Sequence, residues 1–169
     1  MEADEQGDGP ERTPDGRYVV VDGRRWRASD PGIPPTLRAE LVAELMAARR
    51  LVRTDPATAR PRVQDAKVAL GERGEPWWEE CSAEGVQTRI LAVLRTLLRH
   101  RPGGTVCPSE VARVVGGENW RDLTRGVREL AFDLADDGVV AVLQKGSPVT
   151  REARGPVRIG PASSGTMGP

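Results

Sequence analysis

Five stretches of this chain carry apolar side chains at helical spacing, and four shorter ones are rich in β-prone residues. The first such pair is Tyr18-Val19-Val20-Val21 and Arg24-Arg25-Trp26-Arg27-Ala28, separated by Asp22-Gly23. An Asp-Gly step supplies the two positive-φ positions of a tight turn, so this stretch predicts a β-hairpin. Ser29-Asp30-Pro31 ends it, and Pro34-Pro35 opens a helix over Thr36–Arg53 with Leu37, Leu41, Leu45 and Val52 on one stripe. Asp55-Pro56 is a cap followed by a first-turn proline. The helix it starts runs to Leu70, with Val63, Ala66 and Leu70 inward and Gly71 as the stop. Glu75-Pro76-Trp77-Trp78 closes this part, and Glu79–Gly85 reads as a polar link.

The second half begins with a helix over Val86–Arg99, whose Ile90, Val93, Leu94 and Leu97 share a face. Arg101-Pro102-Gly103-Gly104 breaks it. A short helix follows from Pro108, with Cys107 in the capping slot and Glu110 at the third position, and Gly116-Gly117 ends it. A longer helix then spans Glu118–Asp137, with Trp120, Leu123, Val127, Leu130 and Leu134 on one side. Val139–Leu143 and Val157–Ile159 are strand-like, and a polar loop, Gln144–Pro156, joins them. Helix, short helix, longer helix and two strands is the order of a winged helix-turn-helix. The expected class is therefore α+β: a small β-hairpin plus helical hairpin over residues 16–80, a linker at 81–85, and a winged-helix domain over 86–160.

Composition trims this picture at both ends. Residues 1–15 hold six acids, one Arg and only Met1 and Ala3 as apolar side chains, so disorder is expected there and at 161–169. No apolar run approaches the ~20 residues that span a bilayer, and the acidic N-terminus does not resemble a secretory signal. A cytoplasmic protein without a membrane partner is the expectation. Formal charge is zero overall, yet residues 1–85 carry 13 cations against 17 acids and residues 86–169 carry 12 against 8, a split of −4 and +4. That split suggests a basic, partner-facing second half.

Thr105-Val106-Cys107-Pro108-Ser109-Glu110-Val111-Ala112-Arg113, Asn119-Trp120-Arg121, Gln144-Lys145-Gly146 and Ala153-Arg154-Gly155-Pro156 make the stretch from Ile90 onward resemble the bacterial family called domain of unknown function 3253. The resemblance implies a winged-helix fold and brings no activity with it. VVDGRRWRASDP, LVAELMAARR and QDAKVALGERGEPWW in the first half resemble a group of small bacterial proteins often labelled biopolymer transporter Tol. Nothing in this chain supports that label.

The candidate contacts to a polyanion are Arg121, Arg125 and Arg128, spaced i, i+4, i+7 on the long helix, with Lys145, Arg151 and Arg154 in the loop that would form the wing. The same helix carries Glu118, Asp122, Glu129, Asp133, Asp136 and Asp137, for a net charge of about −3, a poor match to phosphates unless the acids face away. Intrahelical pairing of these arginines with the neighbouring acids is the competing reading. Cys107 at a helix start, His100 between two arginines and the Trp77-Trp78 pair each read as structural, with Trp26 and Tyr18 expected beside the indoles. Two cysteines and one histidine make no metal-ligand set, and no glycine pair has the context of a phosphate loop, so neither a catalytic residue, a metal nor a cofactor is expected. Two functions fit: a non-enzymatic binder of duplex DNA through the third helix and wing, or a protein-interaction module with no nucleic-acid binding.

Overall fold

The computed structural model describes residues 9–162; the expected disorder of residues 1–8 and 163–169 lies outside them. The chain folds as β1 (Tyr18–Val21), β2 (Arg24–Arg27), α1 (Pro35–Leu51), α2 (Pro56–Ala69), α3 (Ala83–His100), α4 (Pro108–Gly116), a 3-10 turn (Gly117–Asn119), α5 (Trp120–Asp136), β3 (Val140–Gln144), β4 (Ser147–Pro148) and β5 (Arg158–Pro161). This is the expected α+β class.

The Asp22-Gly23 turn forms with both residues at positive φ, 50° and 73°, and places Tyr18 opposite Arg27 and Val21 opposite Arg24. The segment before it is more ordered than its composition suggests: Arg12 bridges Val19, and the Val20 amide donates to the Glu11 carbonyl at 2.7 Å. The acids there face outward while the main chain pairs, which composition does not reveal.

α1 buries Leu37, Leu41, Leu45 and Ala48. Val52, expected on that stripe, lies past the helix end and is 36% exposed. The Asp55 side chain caps α2 by accepting from the Thr58 amide at 3.2 Å, and Gly71 ends it at φ +79°. α3 begins at Ala83, three residues earlier than its apolar stripe indicates, because Ser82 caps it and is itself held by Glu75 through its amide (2.7 Å) and hydroxyl (2.5 Å). The expected polar link therefore contains the first turn of a helix.

In the C-terminal part, Val106 and Ile159 exchange two 2.7 Å backbone hydrogen bonds, which ties the α3–α4 connection to the free side of β5. The sheet order is β4-β3-β5, antiparallel throughout. β4 falls within what reads in sequence as one polar loop. Its turn is Lys145-Gly146, at φ 51° and 81°; lysine is an uncommon occupant of the left-handed region, which hides the hairpin from sequence reading. α5 buries Val127, and also Ala131 and Phe132, which lie outside the expected stripe; Trp120, Leu123, Leu130 and Leu134 are half-buried against the core.

One contiguous set of buried apolar residues runs from Ile33 on the first half through Leu41, Leu70 and Leu97 to Ile159 on the last strand. α3 is the shared wall. It packs on α1 and α2 on one side and on α4 on the other.

Candidate nucleic-acid interface

The charge split between the halves has a structural explanation. Arg89 binds Asp30 at 2.9 Å and donates to the Ala69 carbonyl. Arg95 and Arg99 both reach Asp65, at 3.9 and 2.7 Å. Arg101 grips Glu40 with two donors, at 2.6 and 2.7 Å, and Glu110 with two more, at 3.2 and 3.0 Å. All four lie on or directly after α3, and Asp30, Asp65 and Glu40 all come from the first half. The cationic surplus of the second half is thus largely consumed at an internal seam, where bidentate guanidinium–carboxylate geometry fixes how the helices meet.

His100, for which the sequence offers no partner, lies 3.9 Å from Glu40 at the same seam. Arg101 holds the Glu40 carboxyl below the usual glutamate range, chiefly by hydrogen bonding. At Glu110 burial pushes the carboxyl up, but the Arg101 hydrogen bond and the Cys107 amide outweigh it and the net direction is down. Glu110 accepts from the Cys107 amide at 2.7 Å and so closes the start of α4 from its third position, as the sequence indicates. Arg158 on β5 adds a 2.9 Å bond to the Thr105 hydroxyl. The Thr105–Glu110 segment is thereby a structural hub.

The six cations picked out by sequence fall into two groups. Arg128, expected to face outward, is half-buried and donates to the Gly155 carbonyl at 2.8 Å and to that of Ala153. Arg151 folds back on Asp133 (2.6 Å) and Asp136 (2.8 Å), whose hydrogen bonds raise its pKa above the ordinary arginine value. Both lie near the Phe132 ring, at 5.6 and 5.8 Å from its centroid. These two side chains pin the return loop onto α5. Gln144 completes the pin by donating to the carbonyls of Arg154 (2.7 Å) and Pro156 (3.1 Å).

Arg121, Arg125, Lys145 and Arg154 are exposed. Arg121 sits 4.6 Å from the Trp120 ring centroid, and Arg113 of α4 sits 4.5 Å from the same ring. Arg113 is missing from the sequence-derived set; its proximity to Trp120 depends on the angle between α4 and α5, which spacing along one helix does not report. Arg125 pairs with Glu129 at 3.1 Å, but its side chain is 88% exposed, so that pair is weak. Glu129, Asp133, Asp136 and Asp137 make the exposed face of the later turns acidic. The helix opens with Arg121 and Arg125 beside Asp122 and ends in acids alone.

Trp77 and Trp78 take the structural role expected of them. Trp77 donates from its indole to the Ala28 carbonyl at 2.9 Å, and Trp78 meets Tyr18 edge-on at 5.6 Å. Trp26 does not join them. It lies on the other face of the hairpin, 49% exposed, with Lys67 5.7 Å from its centroid.

Residues 87–162 match a family model described as protein of unknown function (DUF3253). The matched segment runs from α3 to the end of β5, and it contains both the hub at Thr105–Glu110 and the pinned loop. No curated protein matches the chain. No described helix is long and apolar enough to cross a membrane.

Proposed function

We propose that residues 86–160 form a winged-helix unit that binds duplex DNA without catalysing a reaction, using the start of α5 and the wing. The observation that carries this reading is the cluster at Trp120, where Arg113 and Arg121 flank one indole and Arg125 follows one turn later, 88% exposed. In helix-turn-helix docking the N-terminal turns of the second helix of the motif meet base edges, and those are the turns where the arginines stand here. Lys145 at the β3–β4 turn and Arg154 in the return loop are the exposed wing cations, suited to phosphates. Where titratable groups converge, as Arg101 does with Glu40 and Glu110, they neutralise one another, which favours binding without catalysis.

Five available cations set the scale. If all five meet phosphates, the slope of log affinity against log salt is about −4 to −5. Titration of a labelled duplex by fluorescence anisotropy at several salt concentrations measures it. Arg121→Glu with Arg125→Glu is expected to abolish binding; unchanged binding by that double variant overturns the reading.

A second reading, a protein-interaction module, is favoured by Glu129, Asp133 and Asp136 on the later turns of α5 and Asp137 at its end, which repel phosphates and would suit a basic partner chain. It predicts no duplex binding at low salt.

A further inference from the structure

The first half carries a surface that the duplex-DNA reading leaves unused. β1–β2 presents Val19, Val21 and Trp26 toward α1, which answers with Val42, Leu45 and Met46, and an open groove of about 880 Å³ lies between them. Three of the five large apolar side chains most exposed among the described residues, Val21, Trp26 and Met46, line it. Apolar surface concentrated this way marks a binding site more often than isolated exposed residues do.

Its rim is cationic. Arg12 and Arg24 stand on the hairpin side and Arg38 and Arg49 on α1, against Asp22 and Glu72, and Lys67 already holds Glu72 at 3.7 Å. Among the described residues, Arg12, Arg24, Arg38 and Arg49 form no ion pair. At the seam, by contrast, every arginine of α3 has a carboxylate. Apolar floor and unpaired cationic rim together define what would fit.

We propose that this groove docks an acidic amphipathic segment of a partner protein, its apolar side chains against Trp26 and Met46 and its carboxylates on the arginine rim. Single-stranded nucleic acid would also meet cations and one indole here. It binds by stacking successive bases on successive aromatic rings, however, and this floor offers one ring among aliphatic side chains. Methionine and valine instead suit the aliphatic face of a docked peptide.

The test is fluorescence anisotropy of a labelled peptide of roughly 15 residues, Leu on one helical face and Glu on the other, added to the full chain. Saturable binding is expected, weakened about tenfold or more by Arg38→Glu with Arg49→Glu and by Met46→Asp, and falling with salt. A matched peptide with Lys in place of Glu is expected not to bind, and Arg121→Glu with Arg125→Glu is expected to leave peptide binding intact. Thermal melts check that the variants, all on exposed positions, stay folded. Failure of the acidic peptide to saturate, binding indifferent to both groove variants, or displacement of the peptide by an oligothymidine of similar length overturns the proposal.

Discussion

Along α3 every arginine from Arg89 to Arg101 faces a carboxylate, and for each of them that carboxylate includes one from the first half. At the start of α5, Arg113 and Arg121 face an indole ring, and Arg125 faces a glutamate that is itself 61% exposed. The residue type is the same in both places, yet the consequences differ. A guanidinium enclosed with its partner, as Arg89 and Arg101 are and the half-exposed Arg95 is not, fixes the relative position of two elements, and removing one member strands a charge away from water. A guanidinium at the surface keeps its hydration and remains available to a ligand. Counting arginines therefore says little about binding until their partners are known; here the +4 surplus of the second half faces inward to a large extent.

The strongest way to break this contrast is at its enclosed side. Arg101→Ala removes the guanidinium that joins Glu40 and Glu110, and it is expected to lower unfolding free energy by about 2–4 kcal/mol, discounted from a fully buried pair because Arg101 is 19% exposed. Urea denaturation reads it, and no change in midpoint would show that the seam is not held by this pair.

Acid should loosen the same seam. Glu40 and Glu110 titrate below their ordinary value of 4.5 in the folded chain. Their contribution is therefore fully present above that value and is lost as pH falls through the lowered folded pKa. Melting temperature should decline below about pH 4.5, and Glu40→Gln should flatten the decline. A wild-type curve that stays level through that range would contradict the assignment.

Arg128→Ala probes the intermediate case, an arginine bound to main-chain carbonyls. A cost of about 1–2 kcal/mol is expected, with faster amide exchange in the loop around Ala153–Gly155. If exchange there is as slow as in wild type, the loop is held by other means. Smallest of all, Arg125→Ala should shift stability by less than about 0.5 kcal/mol, since an exposed i,i+4 pair contributes little. A larger loss would move Arg125 into the structural group.

Much of the architecture was readable from local signals. The Asp22-Gly23 hairpin, the Asp55 cap, the Pro108–Glu110 helix start and the α+β class all follow from turn chemistry and periodicity. What escaped reading depended on contacts distant in the chain. Arg128 looks identical to Arg121 on a helical wheel; only the return loop, some 25 residues later, withdraws it. Phe132 is buried from outside the expected stripe because that loop covers its side of α5. β4 is hidden in the sequence because a lysine occupies a backbone conformation for which glycine or asparagine is the usual signal. Trp26 groups with the other aromatics by kind, whereas strand alternation puts it on the face opposite Tyr18.

The grip of Arg128 and Gln144 on the carbonyls of residues 153–156 has a bearing on how this region tolerates change. A carbonyl oxygen is common to all amino acids, so what these two donors recognise is indifferent to the side chains it belongs to. Positions such as Arg154 are thus free to vary while the curvature of the loop stays put. The loop's shape is encoded at two side chains outside residues 153–156, so its own side chains can be altered without losing that shape.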